Sequence, residues 1–289
     1  MPMPDPVELS QIIERALVED LAGGDVTTDS LIPAHIEAAA NLTPRGPGVI
    51  AGLQVAEAVF KRVDPSLQFK VRLVDGDVVE GGESVAVVSG SMASILKAER
   101  TVLNLVQRMS GIATLTARSV GAVAHTRAVI VDTRKTAPGL RSLDKYAVAA
   151  GGGRNHRRNL SDGVLIKDNH IAALQAEGFS LQQIIRRARA TAPHTVKIEV
   201  EVESVEEVPA AIEGGADIIM LDNMSTDSMR RAVEMCRDRC LTEASGSITI
   251  GNVGEVAETG VDIISIGALT HSVQALDIGL DFIQRGQSA

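Results

Sequence analysis

A cluster of basic side chains stands out in an otherwise acidic chain. Between residues 127 and 158 the only acids are Asp132 and Asp144, whereas the whole chain of 289 residues has a formal net charge of −9. The basic residues of this cluster are Arg127, Arg134, Lys135, Arg141, Lys145, Arg154, Arg157 and Arg158. Because electrostatic attraction acts locally within a cleft, the cluster favours binding of a small anion. Nucleic acid is the weaker alternative, since its binding usually needs a basic face overall.

Several cations directly follow short apolar runs. Arg134 and Lys135 come just after the run at 129–131, and Lys167 follows the run at 164–166. Together with Arg157 they suit a multiply charged carboxylate, which arginine can bind through two parallel hydrogen bonds. Lys167 has a second interpretation, a lysine that forms a Schiff base with a carbonyl substrate.

Two acids hold corresponding positions further along the chain. Glu201 follows the run at 198–200, and Asp222 follows the run at 218–221. Mg²⁺ prefers one or two carboxylates together with substrate phosphates, so the pair predicts a metal-bound, phosphorylated second substrate. Either acid alone is more often a helix cap or a salt-bridge partner, and the prediction therefore rests on the combination.

The elements that must position these groups are predicted to be parallel strands alternating with helices. Apolar runs occur at 129–131, 164–166, 198–200, 218–221, 248–250 and 263–266, and helix-like segments separate most of them. Such βα units form barrels whose active sites lie at the carboxyl ends of the strands. The strand count is below eight, so we expect an incomplete barrel. The loops at 251–252 and 267–272 are candidates for a phosphate site.

The first part of the chain predicts a smaller α/β domain. Residues 6–21 have the apolar spacing of an amphipathic helix, 25–28 indicate a polar turn, and 69–74 alternate like a half-buried strand. Two separate helical patterns, at 92–106 and 113–124, lead into the βα units.

Composition excludes several classes of protein. The chain is 45% hydrophobic but only 2% aromatic, which argues against stacking platforms for single-stranded nucleic acid. No apolar run approaches the roughly 20 residues that span a bilayer, and the first residues lack the features of a signal peptide. Cys236 and Cys240 are expected to be reduced thiols, and no further cysteine could complete a zinc site. We therefore expect a cytoplasmic protein without nucleic-acid or membrane partners.

The motifs of the chain resemble those of one enzyme family, quinolinate phosphoribosyltransferase, also called nicotinate-nucleotide pyrophosphorylase (carboxylating). They span nearly the whole chain in the family's order. The matching segments are DVTT (25–28), ERTVLN (99–104), SGIAT (110–114), DTRKT (132–136), KYAV (145–148), GGG (151–153), NHR (155–157), LIKDNH (165–170), EVE (199–201), LDN (221–223), EASG (243–246) and GALTHS (267–272).

The resemblance implies a reaction and an architecture. Phosphoribosyl would be transferred from phosphoribosyl pyrophosphate to quinolinate with decarboxylation, giving nicotinate mononucleotide, pyrophosphate and CO₂ in de novo NAD biosynthesis, with Mg²⁺ as cofactor. The implied fold is an open α/β barrel at 113–274 behind an N-terminal α/β sandwich domain at 1–112. The C-terminal tail, about 275–289, could pack with the N-terminal domain. A homodimer is also implied.

The resemblance further assigns roles to matching positions. The residues implied to bind quinolinate are Thr133, Arg134, Lys135, His156, Arg157 and Lys167, of which the four cations would grip the carboxylates. Glu201 and Asp222 are implied on the ribose and metal side and, with Lys135, as catalytic. Arg100, which alone would be interpreted as a solvated helix charge, is implied to come from the neighbouring subunit. The residues implied to bind phosphate are Ser245, Gly246, Ser247, Ile266, Gly267, Ala268 and His271.

Position 247 departs from the family pattern, which usually continues Ser-Gly-Gly where this chain has Ser247. The backbone N–H of a serine can still bind phosphate. If the position needs a positive φ, however, serine is strained there.

Three alternatives to the quinolinate reaction stay open at this stage. A nicotinate phosphoribosyltransferase would need fewer cations, because nicotinate has one carboxylate. A barrel lyase would use Lys167 as a Schiff-base residue. A binding or regulatory protein descended from the enzyme would bind phosphoribosyl pyrophosphate without turnover.

Overall fold

The computed structural model describes residues 3–283. The chain forms two compact units: one combines Met1–Ala117, Thr136–Gly152 and Leu269–Ala289, and the other combines Arg118–Lys135 and Gly153–Ala268. The first two residues of the predicted N-terminal domain and residues 284–289 of the predicted tail lie outside the described part.

Helices and strands alternate along most of the described chain. The helices are α1 (Pro6–Leu21), α2 (Val26–Leu31), α3 (Leu53–Val63), α4 (Met92–Val123), α5 (Arg141–Ala150), α6 (Asp168–Ala176), α7 (Leu181–Thr191), α8 (Val208–Gly214), α9 (Thr226–Cys236), α10 (Val253–Ala257) and α11 (Ala268–His271). The strands are β1 (Glu37–Pro44), β2 (Gly48–Val49), β3 (Gln68–Val71), β4 (Val78–Val79), β5 (Ala86–Ser91), β6 (Val129–Val131), β7 (Val164–Ile166), β8 (Ile198–Val202), β9 (Ile218–Asp222), β10 (Leu241–Ser245), β11 (Ile263–Ser265) and β12 (Ile278–Phe282).

The first unit contains a four-stranded antiparallel sheet. Its strand order is β12-β1-β5-β3, and β2 pairs separately with β4. The last strand therefore joins the sheet through β1, with Leu42 opposite Leu280. Leu42 is almost fully buried, as the inner side chain of such a sheet should be.

Two predictions for this part of the chain are wrong. The polar turn at 25–28 is the start of α2, because the Asp25 carboxylate caps the helix by accepting the Thr28 backbone N–H at 3.0 Å. The helical patterns at 92–106 and 113–124 form one helix, α4. Gly111 does not break α4, since its missing side chain makes room for the backbone of Gln274, whose carbonyl oxygen lies 2.2 Å from where a Cβ would stand.

The second unit is built on a six-stranded parallel sheet. Its order is β6-β11-β10-β9-β8-β7, so strands consecutive in sequence are neighbours from β7 to β11, and β6 returns beside β11. Within residues 3–283, β6 and β7 do not pair with each other, and a single isolated bridge joins Val131 of β6 to Arg154 in the segment before β7. This is a parallel α/β barrel with one open seam, as the predicted fold class requires.

The strand predicted at 248–250 is wrong. The fifth barrel strand is β10, whose central residue Glu243 is a buried acid, and such a strand has a weak apolar signal. Ile250 of the predicted strand is 42% exposed and lies in the loop that follows. Cys236 and Cys240 are free thiols, and α9 ends at the first of them. Among residues 3–283, no helix combines the length and apolarity that crossing a bilayer would require.

Candidate active site

The register of the parallel strands stacks polar side chains inside the barrel. Met220 of β9 pairs with Glu201 of β8 on one side and with Glu243 of β10 on the other. One layer closer to the carboxyl ends, Asp222 pairs with Ser245. Residues in register on neighbouring parallel strands face the same side of a sheet, so these acids and the serine point into one space.

That space is a cavity of about 640 Å³ at the carboxyl ends of the strands. Its volume lies within the range of small-molecule sites. The lining residues are Thr133, Arg134, Lys135, His156, Arg157, Leu165, Lys167, Glu201, Met220, Asp222, Asn223, Glu243, Ser245, Gly246, Ser247 and Ser265. The structure thus brings together most of the residues that the sequence singled out.

Five predicted residues do not line the cavity. Ile266, Gly267 and Ala268 follow β11 in the same unit, and the Ile266 backbone N–H donates to the Val131 carbonyl at 3.0 Å. Arg100 on α4 and His271 at the end of α11 belong to the other compact unit, and both are exposed.

Two arginines of the cavity lie close enough to repel each other. Burial lowers the pKa of the Arg157 guanidinium, and the positive charge of Arg134 lowers it further. Arg157 also donates to the Gly163 carbonyl at 3.2 Å, which orients the side chain. Two repelling cations in one cavity form a site that an anion between them would stabilise.

Asp132 connects the two loops that carry these arginines. Its carboxylate, which is fully buried, accepts the His156 backbone N–H at 2.9 Å and the Asn155 side-chain amide at 2.7 Å. The Arg154 backbone N–H donates to the Ile130 carbonyl at 2.9 Å. A buried carboxylate therefore links the two loops that flank the open seam of the barrel.

His156 reaches into the barrel and contacts two buried acids. Its Nε2 lies 3.2 Å from Glu199 and 3.4 Å from Glu243. Burial and the Arg157 backbone N–H, which donates to Nδ1, favour the neutral imidazole, whereas the two carboxylates favour the charged form and raise the pKa of His156. Burial raises the pKa of Glu199 to about 7, although His156 works against this shift.

The His156 ring is held on both sides. Nδ1 accepts the Arg157 backbone N–H at 2.8 Å, and this hydrogen bond disfavours a proton on Nδ1. We therefore assign the ring proton to Nε2, from which it donates to the nearer carboxylate, that of Glu199 at 3.2 Å. His156, Glu199 and Glu243 place ligand atoms within 4.8 Å of one another. With Nε2 protonated, however, this cluster is a hydrogen-bonded unit rather than a metal site.

The two predicted metal ligands lie on neighbouring strands. Glu201 is buried and pairs with Lys167, whose Nζ lies 2.5 Å from its Oε2. Asp222 accepts the side-chain amide of Asn223 at 2.8 Å. Two carboxylates lining one open cavity fit Mg²⁺, which needs only one or two protein oxygens when substrate phosphates supply the rest.

The loop after β10 turns sharply beside Asp222. Gly246 has φ of 91°, and the Asn223 side chain fills the space that a Cβ would need, at 2.3 Å. Ser247 follows with φ of 52°, in the left-handed region. This is the positive φ at which serine was expected to be strained. Its hydroxyl donates to the Asn223 side-chain carbonyl at 3.2 Å, which ties the turn to β9.

Sequence reasoning missed three buried acids that support the site, Asp132, Glu199 and Glu243. All three lie in motifs that matched the family, but no role was assigned to them. One signal was present, because Glu199 and Glu201 alternate along β8 and must share a face. Glu243 had no such signal, since its strand was predicted in the wrong place.

Comparison with known proteins identifies the family. The family model described as "Quinolinate phosphoribosyl transferase, N-terminal domain" matches residues 25–110, and the corresponding C-terminal domain model matches residues 112–281. A "Probable nicotinate-nucleotide pyrophosphorylase [carboxylating]" of Bacillus subtilis is 42% identical over 282 residues, covering 98% of this chain and 96% of that protein. The "Nicotinate-nucleotide pyrophosphorylase [carboxylating]" of Mycobacterium leprae is 46% identical over 275 residues, covering 93% and 95%.

Solved structures agree with the sequence comparisons. The crystal structure of NadC from Streptococcus pyogenes superimposes with a TM-score of 0.92 at 39% identity, covering 98% of this chain and 100% of that one. The nicotinate-nucleotide pyrophosphorylase from Francisella tularensis gives a TM-score of 0.89 at 35% identity, covering 96% of each chain. The motifs, the open barrel and these relatives together show that the chain belongs to the quinolinate phosphoribosyltransferase family.

Proposed function

We propose that this protein transfers phosphoribosyl from phosphoribosyl pyrophosphate to quinolinate with loss of CO₂, producing nicotinate mononucleotide and pyrophosphate for NAD biosynthesis. The observation that carries the proposal is the cavity of the second unit, which unites four cations with the carboxylates of Glu201 and Asp222. The curated relatives are named for this reaction.

Quinolinate carries two carboxylates, and the cations of the cavity suit both. In our proposal Arg134 and Arg157 hold the dicarboxylate, whose charge relieves their mutual repulsion. Lys135 and Lys167 add positive charge at the same rim, with Thr133 and His156 beside them. A nicotinate phosphoribosyltransferase would leave part of this charge unused.

Catalysis requires no covalent bond to the protein. Departure of pyrophosphate gives the ribose carbon oxocarbenium character, and the pyridine nitrogen of quinolinate forms the new bond to that carbon. The nitrogen then carries a positive charge, which stabilises the carbanion left when the adjacent carboxylate departs as CO₂. The cations must orient that carboxylate without stabilising it more than the transition state.

The Schiff-base alternative for Lys167 fits the geometry less well. Its ammonium forms an ion pair with the buried Glu201, whereas a Schiff-base lysine attacks as a neutral amine. In our proposal the pair instead positions Glu201 at the ribose side of the site. Borohydride treatment with substrate should therefore trap no adduct on Lys167.

We include Mg²⁺ in the proposal, with Glu201 and Asp222 as its protein ligands. Bound there, the ion would neutralise negative charge on the pyrophosphate group as it leaves. The phosphate groups are proposed to lie against the loops formed by Ser245, Gly246 and Ser247 and by Ile266, Gly267 and Ala268, with His271 contributing as well. Two consecutive residues after β10 have a positive φ, and turns of this kind can present backbone N–H groups to a phosphate.

A homodimer with Arg100 donated to the partner's site is a further part of the proposal. Arg100 is exposed on α4 and has no place in the cavity of the second unit. Arg100→Ala and Lys167→Ala should each be nearly inactive, and mixing them under subunit exchange should restore part of the activity. If heterodimers form and activity does not return, the shared site is wrong.

The proposed reaction is tested by product analysis. Purified protein with quinolinate, phosphoribosyl pyrophosphate and Mg²⁺ should release CO₂ and form nicotinate mononucleotide, and omission of any one component should stop both. Tight binding of the substrates without product would favour a regulatory protein instead. The cytoplasmic location stays a prediction, which cell fractionation would test.

A further inference from the structure

The two thiols of the chain lie at the end of the barrel opposite the proposed active site. Cys240 immediately precedes β10, whereas the catalytic cavity lies where the strands end. A separate cavity of about 460 Å³ opens there, and both cysteines line it. None of the residues assigned to substrates or metal belongs to this second cavity.

A tight turn brings the two cysteines together. α9 ends at Cys236, and the next two residues, Arg237 with φ of −49° and Asp238 with φ of 60°, follow a type II turn. The backbone N–H of Arg239 donates to the Cys236 carbonyl at 2.9 Å, and that of Cys240 donates to the same carbonyl at 3.2 Å. The chain therefore reverses on itself, and both cysteines of the turn line the same cavity.

The two thiols differ in exposure and in acidity. Cys236 is 1% exposed, whereas Cys240 is partly open to the cavity. The interaction with Cys236 lowers the pKa of Cys240, although burial and the charge of Asp262 oppose this shift, while the pKa of Cys236 is raised. Cys240 is thus the thiol that reacts first, and Cys236 is the protected thiol behind it.

The surroundings favour oxidation over metal binding or a charged ligand. In the described part of the chain, neither cysteine belongs to a group of three metal-ligating residues. The positive side chains of the cavity are nearly balanced in number by negative ones, so the cavity does not favour a strongly charged ligand. Its charged residues are Arg127, Lys197, Arg237, Arg239, Asp217, Asp238 and Asp262. A small neutral oxidant such as hydrogen peroxide can enter such a cavity.

We propose that Cys240 and Cys236 form a redox-active pair that closes an intramolecular disulfide when a peroxide oxidises it. The Cys240 thiol loses its proton, and the thiolate attacks one peroxide oxygen; the O–O bond breaks to give a sulfenic acid and hydroxide, which takes up the released proton to form water. The Cys236 thiol then attacks the sulfenic sulfur, forming the S–S bond and releasing a second water. Both sulfurs are oxidised, the peroxide is reduced, and an external thiol reverses the change.

The test uses the full-length reduced protein, treated with hydrogen peroxide in small excess and then alkylated. Intact-mass measurement should show loss of two hydrogen atoms and protection of both cysteines, and dithiothreitol should reverse both. Cys236→Ser should instead accumulate a sulfenic acid on Cys240 that dimedone labels. Cys240→Ser should form neither product at the same dose. Both serine variants should keep the catalytic rate of the parent, since neither cysteine lies at the proposed active site.

Two results would overturn the proposal. One is a wild-type protein whose two thiols both stay alkylatable after a peroxide dose that labels Cys236→Ser with dimedone. The other is oxidation of Cys236 in the Cys240→Ser variant as fast as oxidation of Cys240 in the Cys236→Ser variant. Circular dichroism of the variants establishes that each is folded.

Discussion

The carboxylate of Asp132 accepts the backbone N–H of His156 at 2.9 Å in the interior of the second unit. Asp132 follows β6, and His156 lies in the loop that precedes β7 by several residues. These two strands flank the open seam of the barrel. One buried acid thus holds together the two loops that carry Arg134 and Arg157, where a closed barrel would use strand pairing.

Asp132→Asn should weaken the quinolinate site more than the phosphoribosyl pyrophosphate site. The amide keeps one acceptor oxygen but loses the charge that strengthens both hydrogen bonds. Such bonds contribute about 1.5–3 kcal/mol each, and we expect kcat/KM for quinolinate to fall about tenfold or more. Steady-state kinetics with each substrate varied in turn compares the change in kcat/KM for quinolinate with that for phosphoribosyl pyrophosphate.

Asp162→Asn is the matched control for this change. Asp162 also accepts a backbone N–H, that of Arg158 at 2.6 Å, but it is exposed to solvent. Its loss should leave both KM values within about twofold, because water replaces the bond. Equal effects of the two substitutions would mean that Asp132 has no special role in positioning the arginines.

His156→Ala should destabilise the fold, because it removes the ring that donates to the buried Glu199 and lies beside the buried Glu243. A buried acceptor left without its donor costs about 1–3 kcal/mol, and more when it is charged. The free energy of unfolding, measured by urea denaturation, should fall by that amount.

Glu243→Gln should have opposite effects in two backgrounds. In the wild type it removes the carboxylate that lies 3.4 Å from the His156 ring, so it should destabilise. In the His156→Ala protein it replaces a buried carboxylate that has lost this neighbour, so it should stabilise. If the substitution lowers stability equally in both backgrounds, the two residues are not coupled and the buried cluster is misassigned.

Ser247→Gly should be tolerated and Ser247→Val should not. Serine at φ of 52° carries strain of about 1–2 kcal/mol, which glycine relieves while losing about 0.5–1 kcal/mol to its greater freedom in the unfolded chain. Valine is branched and suits this conformation less than serine. We expect an unchanged or slightly raised melting temperature for the glycine variant, and a lower one with a higher KM for phosphoribosyl pyrophosphate for the valine variant.

Activity should require Mg²⁺ and should depend on Glu201 and Asp222. Chelation with EDTA should abolish turnover, and added Mg²⁺ should restore it. Glu201→Gln and Asp222→Asn should raise the Mg²⁺ concentration needed for half-maximal rate by about tenfold or more, since even outer-shell partners of a metal matter by about 10–100-fold. Glu203→Gln is the control, because Glu203 is exposed just beyond β8. An unchanged Mg²⁺ requirement in both site variants would remove these residues as ligands.

Local patterns predicted the elements that depend on local forces. The helix at Pro6–Leu21 and the strand at Val164–Ile166 match their predicted bounds, because apolar periodicity and short apolar runs carry that information directly. The sequence did not predict α4 as a single helix, because a glycine such as Gly111 usually weakens a helix. Its role here, to make room for the backbone of Gln274, is visible only in the structure.

The buried acids could not be predicted in the same way. Glu243 is buried inside the barrel, where His156, which is remote in sequence, comes within 3.4 Å of it. An acid in a strand usually indicates exposure, so its burial becomes visible only when the fold is known. The predicted residues that line the cavity could be found because their side chains have the charges that the substrates and the metal require. The buried acids act by positioning other residues, which the sequence does not reveal.

The most direct test of the account compares quinolinate with nicotinate as substrates for the same protein, each with phosphoribosyl pyrophosphate and Mg²⁺. The four cations of the cavity predict turnover of quinolinate with one CO₂ released per nicotinate mononucleotide formed, and little or no product from nicotinate. Formation of the mononucleotide from nicotinate alone would contradict the account, since the cavity would then bind a single carboxylate.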